Sequence, residues 1–241
     1  MTEPFKSRDH TERMLKLFGA ELTVDGKVIR IRGKQNLKGQ RVVVPGDISS
    51  AAFFLVAGAT VPGSDLIIKD VGVNPTRCGV LEVMERMGAD ITVFNKREVS
   101  CEPVADIRVR HSELKGVTVG GELIPRLIDE VPVIAVLGTV AEGETLIKDA
   151  AELKVKESNR IAVLAGELRK FNAAVEELPD GLVIQGGHSL EAAVCESHGD
   201  HRIAMAMAIA GLLTEGQTVV KNTECVDVSF PGFYETLCSL G

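Results

Sequence analysis

Tryptophan is absent from the 241-residue sequence, tyrosine occurs once, and aromatic residues make up only 4% of the chain. The core therefore has to be assembled from Ala, Val, Ile, Leu and Met, with close helix packing through Ala and Gly. The longest stretch without a polar side chain is Ile203 to Leu213. That is well short of the roughly 18 residues a membrane-spanning helix needs. The five cysteines, at 78, 101, 195, 225 and 238, form no C-x-x-C pair. Their odd number and wide spacing predict reduced thiols. Neither G-x-G-x-x-G nor G-x-x-x-x-G-K-[ST] occurs, so nucleotide-phosphate loops are missing. His198 and His201 lack a third metal ligand at sensible spacing, and neither metal nor cofactor is expected. The opening MTEPFKSRDH has no apolar segment of the signal-peptide kind, and a cytoplasmic location is expected.

A net charge of −7 makes a nucleic-acid or anionic-membrane partner an unpromising expectation. It does not exclude a small anionic substrate, because clustered cations outweigh distant charge at short range. With 45% hydrophobic and 25% charged residues the composition is that of a globular protein, long enough for one large or two modest domains.

The chain repeats itself. Residues 46–70, 128–149 and 199–222 share one plan: an Asp (47, 129, 200), an apolar segment of helical length, a break at Gly63, Gly143 or Gly216, and a short strand-like run ending in Lys69, Lys148 or Lys221. An amphipathic helical pattern followed by an alternating strand comes next at 76–94 and 159–178. Residues 8–24 match that latter half alone, as if the sequence entered partway through a unit. Each unit reads as helix, strand, helix, strand, with further strands in the connections. The fold class is therefore α/β (α+β), with buried apolar helices covered by amphipathic ones. A boundary falls near residue 40, in the polar, Gly-rich GKQNLKGQ. Three full units from Arg41 onward would close one domain.

The charges sit at helix entrances. Asp47 and Asp200 read as N-caps. Asp129 is less clear, since Pro132 suits the first helical turn and Glu130 competes with it. His201 and Arg202 are harder to explain structurally, because a cation at a helix N-terminus opposes the macrodipole unless an anion lies between. ELKVKESNR places Lys154, Lys156, Glu157 and Arg160 at the start of an amphipathic helix, with Glu157 and Arg160 on one face. Equivalent ends of repeated units fall on one side of a domain. The expectation is an electropositive pocket holding two unpaired carboxylates, suited to a doubly anionic substrate and proton transfer.

TEPFKSRDHTERML (2–15), VPGDISSAAFFLVAGA (44–59), NPTRCG (74–79), IPRLIDEVPVIAV (124–136), ELKVKESNR (152–160), GDHRIAM (199–205) and SFPGFYETL (229–237) together closely resemble the 5-enolpyruvylshikimate-3-phosphate (EPSP) synthase family, in family order across the whole chain. The resemblance implies two domains, each of three βαβαββ units around buried parallel helices. Residues 1–43 would be the C-terminal remnant of the first domain and 44–241 nearly all of the second. It implies transfer of the enolpyruvyl group of phosphoenolpyruvate to the 5-hydroxyl of shikimate 3-phosphate, by addition and elimination, without metal or organic cofactor. In that likeness Asp129 meets the shikimate hydroxyls and accepts a proton, and Glu157 exchanges one with the methylene carbon. Lys156 lies near the reacting oxygen, Arg160 and Arg202 clamp phosphoenolpyruvate, Arg8 binds the shikimate phosphate, and His201 orients groups at the site. The family's first-domain substrate motifs are absent from this sequence. The chain is therefore expected to be inactive alone, with a separate chain as the source of the missing half. Two rival readings are a non-catalytic binding remnant of the same fold and the sister UDP-N-acetylglucosamine 1-carboxyvinyltransferase. The sister's reactive Cys loop is not visible here.

Overall fold

A computed structural model describes residues 1–3 and 5–240; Pro4 of the opening motif and Gly241 lie outside the described residues. The chain opens with helix α1 (His10–Leu17) and an antiparallel pair, β1 (Leu22–Asp25) and β2 (Val28–Ile31). This is the helix-then-strand half-unit that residues 8–24 predict, with a second strand after it. From Arg32 to Asp47 there is no helix or strand, only an isolated parallel bridge from Gly46 to Val71.

The first complete unit comprises α2 (Ile48–Thr60), β3 (Asp65–Gly72), α3 (Gly79–Arg86), β4 (Asp90–Val99) and β5 (Glu102–Arg110). The second comprises β6 (Thr118–Val119), a short α4 (Ile124–Leu127), α5 (Val131–Val140), β7 (Glu144–Ile147), α6 (Arg160–Lys170), β8 (Ala174–Leu178) and β9 (Gly181–Gln185). Their sheets have one design. In the second, β6 runs parallel to β7, and β9 pairs antiparallel with both β7 and β8. In the first, the Gly46 bridge takes the place of β6, and β5 lies antiparallel between β3 and β4.

The third unit differs. Its first strand is split into β10 (Leu190–Glu191) and β11 (Val194–Glu196), followed by α7 (His201–Gly211), β12 (Thr214–Glu215) and β13 (Val219–Lys221). These strands pair in parallel, β10 with β12 and β11 with β13. Two short helices, α8 (Cys225–Ser229) and α9 (Phe233–Ser239), then take the place of a second helix and antiparallel hairpin. Three full units from Arg41 are thus not completed among the described residues. The sparse aromatics are spent here: Phe53 and Phe54 of α2 meet Phe230 and Phe233, and Tyr234 packs on Phe233, with ring centroids 5.1 to 6.0 Å apart. Offset and edge-to-face rings of this kind contribute beyond their buried area.

Helices α2, α5 and α7 form the centre and pack on one another. Each can be buried because nearly every side chain on it is apolar. Each ends in a G-x-x-x-x-G spacing: Gly58 and Gly63, Gly138 and Gly143, Gly211 and Gly216. The first glycine lets the helix press on a strand; a Cβ on Gly58 would stand 2.6 Å from Val109. The second reverses the chain with φ of +80°, +88° or +104°, a region glycine enters freely. The amphipathic helices α1, α3 and α6 close in one way as well, at Gly19, Gly88 and Asn172, all left-handed. In each, the following alanine N–H reaches back to a carbonyl five residues earlier, the Schellman closure.

Candidate active site

The N-terminal ends of α2, α5 and α7 meet, and the charges predicted at helix entrances meet with them. Asp47 caps α2, accepting from the Ser49 and Ser50 N–H groups at 3.2 and 3.1 Å. Asp200 caps α7, accepting from Arg202 N–H at 2.9 Å. Asp129 caps nothing: it lies in a 3-10 turn, Ile128–Glu130, that leads into α5, where Pro132 occupies the first turn. Its side chain is thereby free to face the other elements.

Arg8 Nη2 donates to Asp129 Oδ2 at 2.8 Å across 121 positions of sequence. Arg8 is held in place by its neighbours. Asp9 accepts from Arg13 Nε at 2.9 Å and Asn74 Nδ2 at 2.7 Å, and its N–H donates to Thr76 Oγ1. Around Asp129, Lys156 Nζ stands 3.6 Å away, and Arg77 Nη1 and Arg160 Nη1 each 3.7 Å. Arg202 Nη1 donates to the Asp129 carbonyl at 3.2 Å. Burial pushes the Asp129 carboxyl upward, but the Arg8 hydrogen bond and the charges of Arg202, Arg8 and Lys156 outweigh it and hold the group far below the usual carboxylate range.

Behind Asp129 lies a more deeply buried tier. Arg160, 1% exposed, donates from Nε to Asp200 Oδ2 at 2.8 Å and from Nη2 to Oδ1 at 3.2 Å, a two-pronged pair that Ser158 joins. Arg160 Nη2 also binds Glu157. Its Nη1 is buried and, among the described residues, makes no hydrogen bond. A buried guanidinium donor without an acceptor is costly, and an anion is what satisfies it. Glu130 is fully buried; it accepts from Ser49 Oγ and lies 3.4 Å from Arg77 Nη1 and 3.9 Å from Arg202 Nη1.

The sequence-predicted residues are therefore gathered, with three corrections. First, α6 starts at Arg160, after a 3-10 turn at Ala151–Val155 and an Asn159 cap. Glu157 thus precedes the helix and reaches Arg160 by direct ion pairing, not along a helix face, while Lys154 is exposed and away from the cluster. Second, neither carboxylate is unpaired: Asp129 and Glu157 both contact Arg side chains. Third, the pocket is not electropositive. Arg8, Arg77, Lys156, Arg160 and Arg202 are met by Asp47, Asp129, Glu130, Glu152, Glu157 and Asp200, so six carboxylates face five cations. Sequence reading also passed over Arg77 and Ser49 as site residues, although they sit in the quoted NPTRCG and GDISS motifs. A cation at the entrance of α3, as at the other helix entrances, was the available signal.

Arg8, Asp129 and Lys156 line an open cleft of about 740 Å³, together with Gly121, Asp149 and Glu152. Glu157, Arg160, His201 and Arg202 are not among its lining residues and lie behind or beside it. His201, half-buried, is held below the usual imidazole range by burial and by Arg202. Among the described residues, no helix is long and apolar enough to cross a membrane.

The profile of the family described as EPSP synthase (3-phosphoshikimate 1-carboxyvinyltransferase) matches residues 3–237. The chain is 60% identical over 241 residues to a 3-phosphoshikimate 1-carboxyvinyltransferase of Pelotomaculum thermopropionicum, covering all of this chain and 56% of that protein. It is 58% identical over 237 residues to a protein of the same name from Gloeobacter violaceus, covering 98% and 55%. The structure of EPSP synthase from Acinetobacter baumannii superposes with a TM-score of 0.94 at 43% identity, over all of this chain and 56% of that one. The enolpyruvyl transferase NikO from Streptomyces tendae, at 21% identity and a TM-score of 0.78, shares the fold. The chain spans about half the length of the curated relatives it matches.

Proposed function

Since the chain belongs to the EPSP synthase family, we propose that it carries one wall of an active site that transfers the enolpyruvyl group of phosphoenolpyruvate to the 5-hydroxyl of shikimate 3-phosphate, releasing phosphate. The observation that carries this reading is the buried Arg160 Nη1, without an acceptor of its own and 3.7 Å from Asp129. It is a donor waiting for an anion beside a carboxylate.

On this reading Arg160 and Arg202 hold phosphoenolpyruvate, Arg8 binds the shikimate phosphate, and Asp129 accepts the proton of the attacking hydroxyl. Lys156 steadies the reacting oxygen, and His201, whose charged form is disfavoured by burial and by Arg202, orients neighbouring groups. Glu157 gives a proton to the methylene carbon as the C–O bond forms. It takes one back from the resulting methyl group as phosphate leaves, carrying the proton lost by the hydroxyl. Asp129 in its ligand-free pairing is too weak a base for this role, because Arg8 is bonded to it. A substrate phosphate that draws Arg8 away removes that bond and raises the proton affinity of Asp129 at the moment the hydroxyl arrives.

The charge count supports a half-site. Two polyanionic substrates need surplus cations, and this wall has none to spare. We assign residues 1–43 to the end of a first domain and 44–241 to a second, with the remaining cations supplied by chain outside this sequence. In a phosphate-release assay the 241-residue chain alone is expected to show no turnover. Adding a polypeptide matching the rest of the Pelotomaculum relative restores it with shikimate 3-phosphate. Turnover by the chain alone overturns the half-site reading, and activity of the pair with UDP-N-acetylglucosamine instead overturns the acceptor.

A further inference from the structure

Glu130 has no part in the chemistry above, yet it is, like Asp200, a fully enclosed carboxylate next to it. It is fully buried at the start of α5 and joins all three central helices. Ser49 of α2 donates to it, and Arg202 of α7 stands 3.9 Å from its Oε1. Arg77, from the loop before α3, lies 3.4 Å from both of its oxygens and also donates to Ser49 Oγ. This closed ring of Glu130, Ser49 and Arg77 accounts for two motifs, GDISS and NPTRCG, to which the reaction assigns no role.

Arg202 is the group that depends on the ring. Among the described residues its guanidinium makes one hydrogen bond, to the Asp129 carbonyl at 3.2 Å. It has no carboxylate of its own within bonding distance, unlike Arg160 with Asp200 or Arg8 with Asp129. An Arg side chain is long, and one hydrogen bond fixes neither its plane nor its free donors. The second restraint is the Glu130 charge, in a buried setting where charges act over several ångströms with little screening.

We propose that Glu130, held by Ser49 and Arg77, is a positioning residue that aims the free donors of Arg202 at the anion site. This rests on the reading of Arg202 as a phosphoenolpyruvate ligand. Without the Glu130 charge, Arg202 falls to the nearest remaining carboxylate, Asp129, and both groups leave the geometry the substrates need.

The test is Glu130→Gln, which keeps the shape and the Ser49 hydrogen bond but removes the charge. Two quantities are read: the Arg202 Nε–Hε resonance of the 241-residue chain without ligand, and the affinity for phosphoenolpyruvate of the chain complemented with the polypeptide matching the rest of the Pelotomaculum relative. We expect the resonance to shift as Arg202 turns to Asp129, and the affinity to fall about tenfold, less than the loss for truncating one partner of a buried hydrogen-bonded charge pair because Glu130 stands 3.9 Å from Arg202 and acts through it. A purely structural role would lower the melting temperature and leave the Arg202 resonance where it is. If Glu130→Gln does not fold, Ser49→Ala serves: the same resonance moves in the same direction, by less. An unmoved Arg202 resonance, or unchanged affinity in a chain that binds phosphoenolpyruvate, overturns the proposal. If the complemented parent binds no phosphoenolpyruvate but Glu130→Gln still moves the Arg202 resonance, positioning stands and the substrate reading falls.

Discussion

The charged cluster has two tiers, and they are built to different rules. In the inner tier, Arg160 with Asp200 and Arg77 with Glu130 and Ser49 lie behind Asp129, with side chains that are almost wholly enclosed. In the outer tier, Arg8, Lys156 and Glu157 are a quarter to a half exposed and pair loosely or singly. Asp129 stands between the two and touches both. Buried ion pairs cost desolvation and are strongly destabilising to break, whereas exposed ones contribute little and exchange partners easily. The inner tier is thus suited to hold helix ends in register, and the outer one to let go of its partners when a ligand arrives.

Substitutions should separate the tiers. Asp200→Ala leaves the Arg160 charge buried without its partner and removes the α7 cap, so a loss of about 3–5 kcal/mol is expected in urea unfolding. Arg8→Ala should cost no more than about 1 kcal/mol by the same measurement, yet abolish productive shikimate 3-phosphate binding. A result in which the two substitutions cost equally would erase the distinction.

A titration sharpens it. The Asp129 carboxyl is depressed in the folded chain, so its contribution to stability is present above the unfolded carboxylate value of about 3.9 and is lost only as pH falls well below it. In carbon NMR it should remain ionised at pH 3, where most surface carboxylates have protonated, and Arg8→Ala should bring its midpoint up. Glu130, raised by burial despite Arg77, has the opposite sign: it penalises the fold as pH rises and it ionises. The smallest expected effect is that of Lys154→Ala. This residue belongs to the K-x-K-E-x-x-R pattern but points to solvent, so stability should stay within about 0.5 kcal/mol and ligand affinity should not change.

Much of the architecture was legible because it is written three times. The breaks at Gly63, Gly143 and Gly216, the Lys within or beside the strand that follows each, and the apolar helices are local signals, and local signals survive without tertiary information. The left-handed turn residues after those lysines, Asp70, Asp149 and Asn222, follow the same repeat. Asp129, Arg160 and Arg202 were readable as a cluster from repeat position alone. The pairing inside the cluster was not. Whether Arg160 turns to Asp200 or Asp129, and that Arg77 and Ser49 close on Glu130, depends on contacts between residues 28 to 81 positions apart, which no periodicity records. The charge balance was missed for the same reason, since acids counted along the chain give no hint of which cations they neutralise. The incomplete third unit escaped because its first half, 199–222, repeats as fully as the other two, although the amphipathic pattern that should follow is found only at 76–94 and 159–178.

The aromatic cluster that seats α8 and α9 against α2 contains the chain's one tyrosine, Tyr234, in a sequence with no tryptophan. Burial pushes its hydroxyl up to about 12. Excited beyond the phenylalanine absorption band, the intrinsic ultraviolet emission of this protein therefore comes from a single reporter at the end of the molecule where the repeat breaks off. Detachment of those last helices can be followed optically, without a label, and separately from the melting of the rest.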